Sequence, residues 1–261
     1  MPRFAANFGY LFTERPLIER FAAAAAAGFK AVEQQLPYDV PAATLKAELD
    51  RHGLTQLGIN MPMGQRGEFG LTAVPGREKD FDVAFRQALQ YVVAIGGSAI
   101  HCLAGVVSPD RRPAAETTFV ANLTRAGDAA ASRKITLLIE PINHRDRPDY
   151  FLSRVEQAAD VIEKVGRANV KLQFDCYHVQ IMQGDLIRRI ERHLPLIGHV
   201  QIAAVPSRAE PDEGEVNYPA VWAALDAMGY RGWIAAEYQP RGPTEDGLGW
   251  MRRYTGTPER R

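Results

Sequence analysis

Cysteine is scarce in this chain: 261 residues contain only Cys102 and Cys176, each inside an apolar run. Two cysteines at unrelated positions make no disulfide framework, and both read as packing residues with no catalytic or metal role. An excess of one charge is also missing. With 31 basic against 31 acidic side chains the formal net charge is zero. No long-range field gathers phosphate backbones or anionic lipid, so a small-molecule ligand is expected rather than nucleic acid or a membrane surface. The longest apolar stretch, 92–107, is interrupted by Gly96, Gly97, Ser98 and His101 and falls short of the ~20 residues a spanning helix needs. The opening Met-Pro-Arg-Phe-Ala-Ala-Asn lacks the basic-then-apolar layout of a secretory signal, so a reduced, cytoplasmic protein is expected.

Several motifs are absent as well. After the first apolar strand the chain reads Asn7-Phe8-Gly9-Tyr10-Leu11, without the Gly-x-Gly-x-x-Gly that an open doubly wound sheet uses to cradle a dinucleotide. A Walker loop and a Gly-x-Ser-x-Gly nucleophile elbow are missing too, which argues against P-loop enzymes and serine hydrolases.

What remains is an ordinary globular composition, 46% hydrophobic, 24% charged and 9% aromatic, which excludes disorder, collagen and coiled coil. Short β-rich runs alternate with helical patterns along the whole length. The runs at 3–8, 31–35, 55–60, 99–103, 135–140, 170–175, 197–202 and 233–238 are the predicted strands. Helical patterns follow at 17–27, 42–52, 77–95, 114–133, 155–165, 186–194, 218–228 and 245–254. Gly28, Gly53, Gly96, Gly166 and Gly229 stand where a left-handed residue would end a helix before the next strand. Eight strands each followed by a helix predict a parallel (β/α)8 TIM barrel, and barrels of about 250 residues form one unit. A single barrel domain over 1–261 is expected.

In such a barrel the active site lies at the C-terminal rim of the strands, so polar residues that close apolar strands carry the most information. The fifth run ends Ile139-Glu140-Pro141, the sixth Phe174-Asp175, the seventh Val200-Gln201-Ile202 and the eighth Ala236-Glu237-Tyr238. Any one of these reads equally well as a helix cap or a partner for a surface lysine. Three carboxylates converging from neighbouring strands repel one another, whereas a divalent cation removes that penalty. With oxygen donors only, Mg²⁺ or Mn²⁺ is favoured over Zn²⁺. Two carboxylates and a cation also suit proton transfer between adjacent carbons through an enediolate. Glu33, Arg66, His178 and Arg208 fall on the same rim, and Arg66 is a candidate partner for a substrate carboxylate. His144 and Asp146 carry no assignment, because Arg145, Arg147 and Asp149 make that loop simply charge-rich.

At these residues the sequence resembles the hydroxypyruvate isomerase and 2-oxo-tetronate isomerase family, within the wider xylose-isomerase-like barrels. The segments that carry the resemblance are Arg-Phe-Ala-Ala-Asn at 3–7, Pro-Tyr-Asp at 37–39, Pro-Gly-Arg-Glu at 75–78 and Ile-Glu-Pro-Ile-Asn-His at 139–144. They continue with Phe-Asp-Cys-Tyr-His at 174–178, Gly-His-Val-Gln-Ile-Ala at 198–203, Gly-Glu-Val-Asn-Tyr at 214–218 and Glu-Tyr at 237–238. The resemblance implies that Glu140, Asp175, Gln201 and Glu237 bind the metal and that Glu140 and Glu237 also move the proton, the direction of each unassigned. It implies substrate contacts for His178 and Arg208, as in related epimerases. Gln34 and Gln35 depart from the apolar residues that hydroxypyruvate-type relatives carry after Glu33, and the loop 203–210 looks more like the 2-oxo-tetronate branch. The alternatives are a ketose 3-epimerase, an inosose-type dehydratase, and a non-catalytic sugar-acid binding barrel. A homo-oligomer is compatible with the sequence, which does not specify its symmetry.

Overall fold

A computed structural model of the protein describes residues 2–255. Its strands are β1 (Phe4–Asn7), β2 (Ala31–Gln34), β3 (Thr55–Asn60), β4 (Ala99–His101), β5 (Thr136–Ile139), β6 (Val170–Asp175), β7 (Ile197–Ile202) and β8 (Ile234–Ala236). They pair in parallel in chain order, and β1 closes on β8, forming the closed eight-stranded barrel expected from the alternation. The helices are α1 (Leu17–Ala26), α2 (Ala42–His52), α3 (Glu78–Ala94), α4 (Arg112–Ala131), α5 (Val155–Val165), α6 (Cys176–Met182), α7 (Leu186–His193), α8 (Tyr218–Ala227) and α9 (Gly249–Thr255).

The outer helices form because their apolar residues recur at helical spacing. On α5 the buried set is Val155, Ala158, Val161, Ile162 and Val165, a single stripe along one side. The five glycines expected at helix ends all have positive φ, from 61° at Gly53 to 98° at Gly28. Cys102 and Cys176 are buried free thiols, as expected of packing residues. Among the described residues no helix is long and apolar enough to cross a membrane.

Two elements differ from the sequence reading. The segment after β6 turns at once into α6, because the Asp175 side chain accepts the Tyr177 backbone N–H at 2.8 Å and caps the helix. His178 therefore stands on a short helix and not in a loop. Near the C-terminus the expected helix divides into a 3-10 turn at Thr244–Gly247 and α9.

Strand parity then decides what faces where. Phe4, Ala6, Val32, Ile100, Leu172, Phe174, Val200, Ile202 and Ile234 point outward into the helix-facing core. The alternate residues point into the barrel. Ala5, Ala31, Leu57 and Ala235 form its small apolar base, and above them the interior is polar. Asn7, Glu33, His101, Gln173, His199 and Gln201 lie there, all buried.

Candidate active site

The site is built at the C-terminal ends of β5, β6 and β8. Glu140 and Glu237 are the first residues beyond their strands and Asp175 is the last of its own, so backbone ladders aim all three side chains across the barrel mouth. Their exposures are 4%, 7% and 1%, respectively. Burying carboxylates this way favours their neutral forms. Burial first, and then the charges of Glu237 and Asp175, raises the Glu140 pKa well above the ordinary carboxylate range. Burial likewise pushes Glu237 up to about 8 and Asp175 to about 6, with Arg208 opposing both shifts.

The hydrogen bonds divide these carboxylates into two kinds. Glu237 is fully engaged: Oε1 accepts from Asn7 Nδ2 at 3.0 Å and Gln35 Nε2 at 3.1 Å, and Oε2 from Arg208 Nη2 at 3.3 Å. Glu140 Oε1 and Asp175 Oδ2, by contrast, are buried with no hydrogen-bond partner among the described residues. Unpaired buried carboxylate oxygens are costly, and a cation is the partner their chemistry suits.

Glu140, Asp175 and His178 each bring one metal-ligand type of atom into a group within 4.8 Å of one another. His178 holds a distinct place in it. Asn143 Oδ1 accepts the Asp146 backbone N–H at 2.7 Å, so the other end of that amide is an NH₂ group, and it sits 2.6 Å from His178 Nδ1. The Asn143 backbone N–H approaches the same nitrogen at 3.4 Å. Nδ1 is therefore an acceptor, and the ring proton resides on Nε2, 3.5 Å from Asp175 Oδ2 and 3.9 Å from Glu140 Oε1. Burial and then Arg208 hold the His178 pKa well below its ordinary value, keeping the ring neutral. It faces the carboxylates as an N–H donor.

Arg208 brings a cation to Glu237. It occupies a left-handed backbone position (φ 57°) in the loop after β7. Its guanidinium lies 4.8 Å from the ring centres of Tyr10 and Tyr177 and donates to Asp146 Oδ2 at 2.9 Å besides Glu237. Gln201 stands beside Asp175 in the β6–β7 register, with its amide engaged by Glu33 and Gln173.

The cavity above these groups is lined by Tyr10, Gln35, Asn60, Met63, Phe69, His101, Glu140, Asp146, Arg147, His178, Arg208 and Glu237, among others. Arg66 is not among them. Its side chain is exposed, because the loop after β3 turns Met63 and Phe69 inward instead. The guanidinium that lies there is Arg147, 3.6 Å over the Phe69 ring. Asp146 and Arg147, dismissed as part of a charge-rich loop, thus belong to the cavity wall. Their signal was the short spacing from Glu140; the neighbouring charges, which point to solvent, masked it.

The family description "Xylose isomerase-like TIM barrel" matches residues 21–254. The 2-oxo-tetronate isomerase of Cupriavidus necator is 49% identical over 98% of this chain and all of its own length. The hydroxypyruvate isomerase of Escherichia coli K12 is 39% identical over 97% of this chain and all of its own. A crystal structure from Brucella melitensis, named as an AP endonuclease of family 2, superposes with a TM-score of 0.96 at 46% identity, covering 97% of this chain and 99% of that one. The chain belongs to the xylose isomerase-like TIM barrel family and, within it, to the isomerases named for hydroxypyruvate and 2-oxo-tetronate.

Proposed function

We propose that this isomerase interconverts the 2-oxo-3-hydroxy and 2-hydroxy-3-oxo forms of a small sugar acid, 2-oxo-tetronate or hydroxypyruvate, with the help of a divalent cation. The observation that carries the reading is the pairing of two buried carboxylates, Glu140 and Glu237, at one cavity with the Arg208 guanidinium beside them. The isomerisation removes a proton from one carbon and returns one to its neighbour, passing through an enediolate of the substrate. Two carboxylates suit this, one as base and one as acid. Raised pKa values bring such groups toward the pH at which each can both take and release a proton.

Glu140, Asp175, Gln201 and Glu237 would hold the cation, with Mg²⁺ or Mn²⁺ fitting their oxygen donors. The unpartnered Glu140 Oε1 and Asp175 Oδ2 support that fit. When bound, the cation supplies Lewis acidity toward the substrate's carbonyl and hydroxyl oxygens. Arg208 would offer its unpartnered Nε–H to a substrate carboxylate oxygen while its Nη groups hold Asp146 and Glu237. His178 offers its Nε2–H to a substrate oxygen, and Asn143 holds that tautomer in place.

Proton NMR of the protein with Mg²⁺ or Mn²⁺ in D₂O tests the proposal, with hydroxypyruvate and 2-oxo-tetronate supplied separately. Formation of the isomer with deuterium entering from solvent is the expected result. If neither acid reacts or exchanges while a 3-ketose takes up deuterium at one carbon, the protein is an epimerase and the proposal fails.

A further inference from the structure

Beneath the carboxylate rim the barrel interior is polar, where such barrels are ordinarily packed with branched apolar side chains. Glu33 is at the centre of this layer. Its Oε1 accepts from Asn7 Nδ2 at 2.8 Å and from Gln201 Nε2 at 2.7 Å, and its Oε2 lies 2.7 Å from His199 Nε2. The two amides on the carboxylate are donors, as an ionised, acceptor-only group requires.

An amide side chain has a donor end and an acceptor end that a half-turn exchanges, so something must decide between them. Glu33 decides for Gln201, and for Asn7 it acts together with the Gly9 backbone N–H. With one N–H on Glu33, Asn7 gives its other to Glu237 Oε1 at 3.0 Å, and its oxygen accepts the Gly9 backbone N–H at 2.8 Å. With its NH₂ on Glu33, Gln201 keeps its carbonyl oxygen free of that carboxylate. Gln173 Nε2 donates to this oxygen at 2.8 Å, and an amide oxygen retains a second lone pair. A half-turn of Gln201 would set oxygen against the Glu33 carboxylate and NH₂ against the Gln173 NH₂. Only the oxygen end of an amide binds a cation.

We propose that Glu33, paired with His199, is a positioning residue that sets the sense of Gln201, so that Gln201 presents its carbonyl oxygen as a ligand, and that it joins the Gly9 backbone N–H in holding Asn7 with an N–H on Glu237. The Gln201 half rests on the cation reading of the site; the amide sense itself does not.

The test is a double-mutant cycle on the full chain, with Mn²⁺ alone as the probe and calorimetry as the readout. Glu33→Gln is expected to weaken Mn²⁺ binding about 10- to 100-fold, the range for residues that orient a ligand. Gln201→His supplies a ligand with no amide sense to set, and in that background Glu33→Gln is expected to cost less than about threefold. An equal loss in both backgrounds means that Glu33 acts only through its charge and overturns the proposal, as does no loss in the native background. Should Glu33→Gln fail to fold, His199→Asn removes the partner of Glu33 and is expected to give the same background-dependent loss.

A second readout needs no metal. The side-chain NH₂ signals of Asn7 and Gln201, identified by their disappearance in Asn7→Ser and Gln201→His, are expected to exchange slowly with solvent in the native protein and quickly in Glu33→Gln. Unchanged protection overturns the proposal. Absence of Mn²⁺ binding by the native protein, by contrast, refutes the cation reading and leaves this exchange measurement to decide the amide sense.

Discussion

Three buried carboxylates at one barrel mouth link stability to pH in a sense opposite to that of most surface acids. Glu237, raised to about 8 from an ordinary value of 4.5, binds its proton in the folded chain at pH values where the unfolded chain has released it. Stability supplied by the protonated form is therefore lost as pH rises toward 8. Three buried histidines run the other way, since His101, lowered to about 3, His178 and His193 all bind a proton less readily folded than unfolded. Unfolded imidazoles are half protonated at about pH 6.5, so their contribution is complete only above about pH 8. Between pH 6.5 and 8.5 each imidazole still adds about 0.4 kcal/mol of stability, against the larger loss from the carboxylates. Glu237 contributes a loss of about 2 kcal/mol over that window, and Glu140, also raised, adds in the same direction. For a chain of this size 2 kcal/mol corresponds to about 4 °C or more in Tm. With the imidazoles offsetting about half of this, protein treated with a chelator is expected to melt about 2 °C or more lower at pH 8.5 than at pH 6.5. Saturating Mn²⁺ should restore about 2.7 kcal/mol at a hundredfold excess over Kd, and more at pH 8.5 than at pH 6.5, where protons compete. Scanning calorimetry across the window is the assay. A melting temperature that is level or rises with pH in the metal-free protein would refute the assignment of buried, mutually repelling acids, and a cation effect independent of pH would refute their role as its ligands.

Other expected outcomes use the same protein and assays. Glu140→Gln and Glu237→Gln are each expected to abolish turnover in the NMR assay, and Glu140→Gln should leave the metal-free protein at least as stable at pH 8.5, because an unpartnered buried charge is removed without loss of volume; full activity in either folded variant contradicts the proton-transfer role. Arg208→Met breaks a half-buried pair with Glu237 at 3.3 Å and Asp146 at 2.9 Å. It should cost about 3 kcal/mol in calorimetry and raise KM, and Arg208→Lys should not restore KM, since an ammonium cannot reproduce the two-pronged guanidinium. Gly214→Ala places a Cβ 2.3 Å from the Val205 carbonyl oxygen at a φ of +80°; a loss of about 1–3 kcal/mol with raised KM is expected, because this loop carries Arg208. Arg66→Ala should leave kcat/KM within about twofold, as a solvated side chain outside the cavity requires.

The barrel itself was legible in the sequence because its signals are local. Alternation of apolar runs with helical stripes, punctuated by Gly28, Gly53 and Gly166, depends only on neighbours a few residues away. The acids Glu140, Asp175 and Glu237 were legible for the same reason: each closes an apolar run, and the closing residue of a barrel strand lies at the rim. Helix α6 was not anticipated, since seven residues are too few to show a period and its cap is the same Asp175 that serves the cluster.

Only closure of the barrel decided which polar groups meet. Asn7 and Glu237 are 230 positions apart, and Gln201 and Glu33 are 168 apart, yet each pair is hydrogen-bonded. Register and parity put them on the same inward face, and neither follows from local composition. The loops show the same division. Nothing in the spacing of charges told Arg66 from Arg147, because which of them turns inward depends on how Phe69 packs against the neighbouring loop. Local sequence set the strands, the helices and the rim acids through short-range periodicity, whereas the Glu33 network, the tautomer of His178 and the partner of Glu237 arose from contacts between distant segments that exist only once the eight strands have closed.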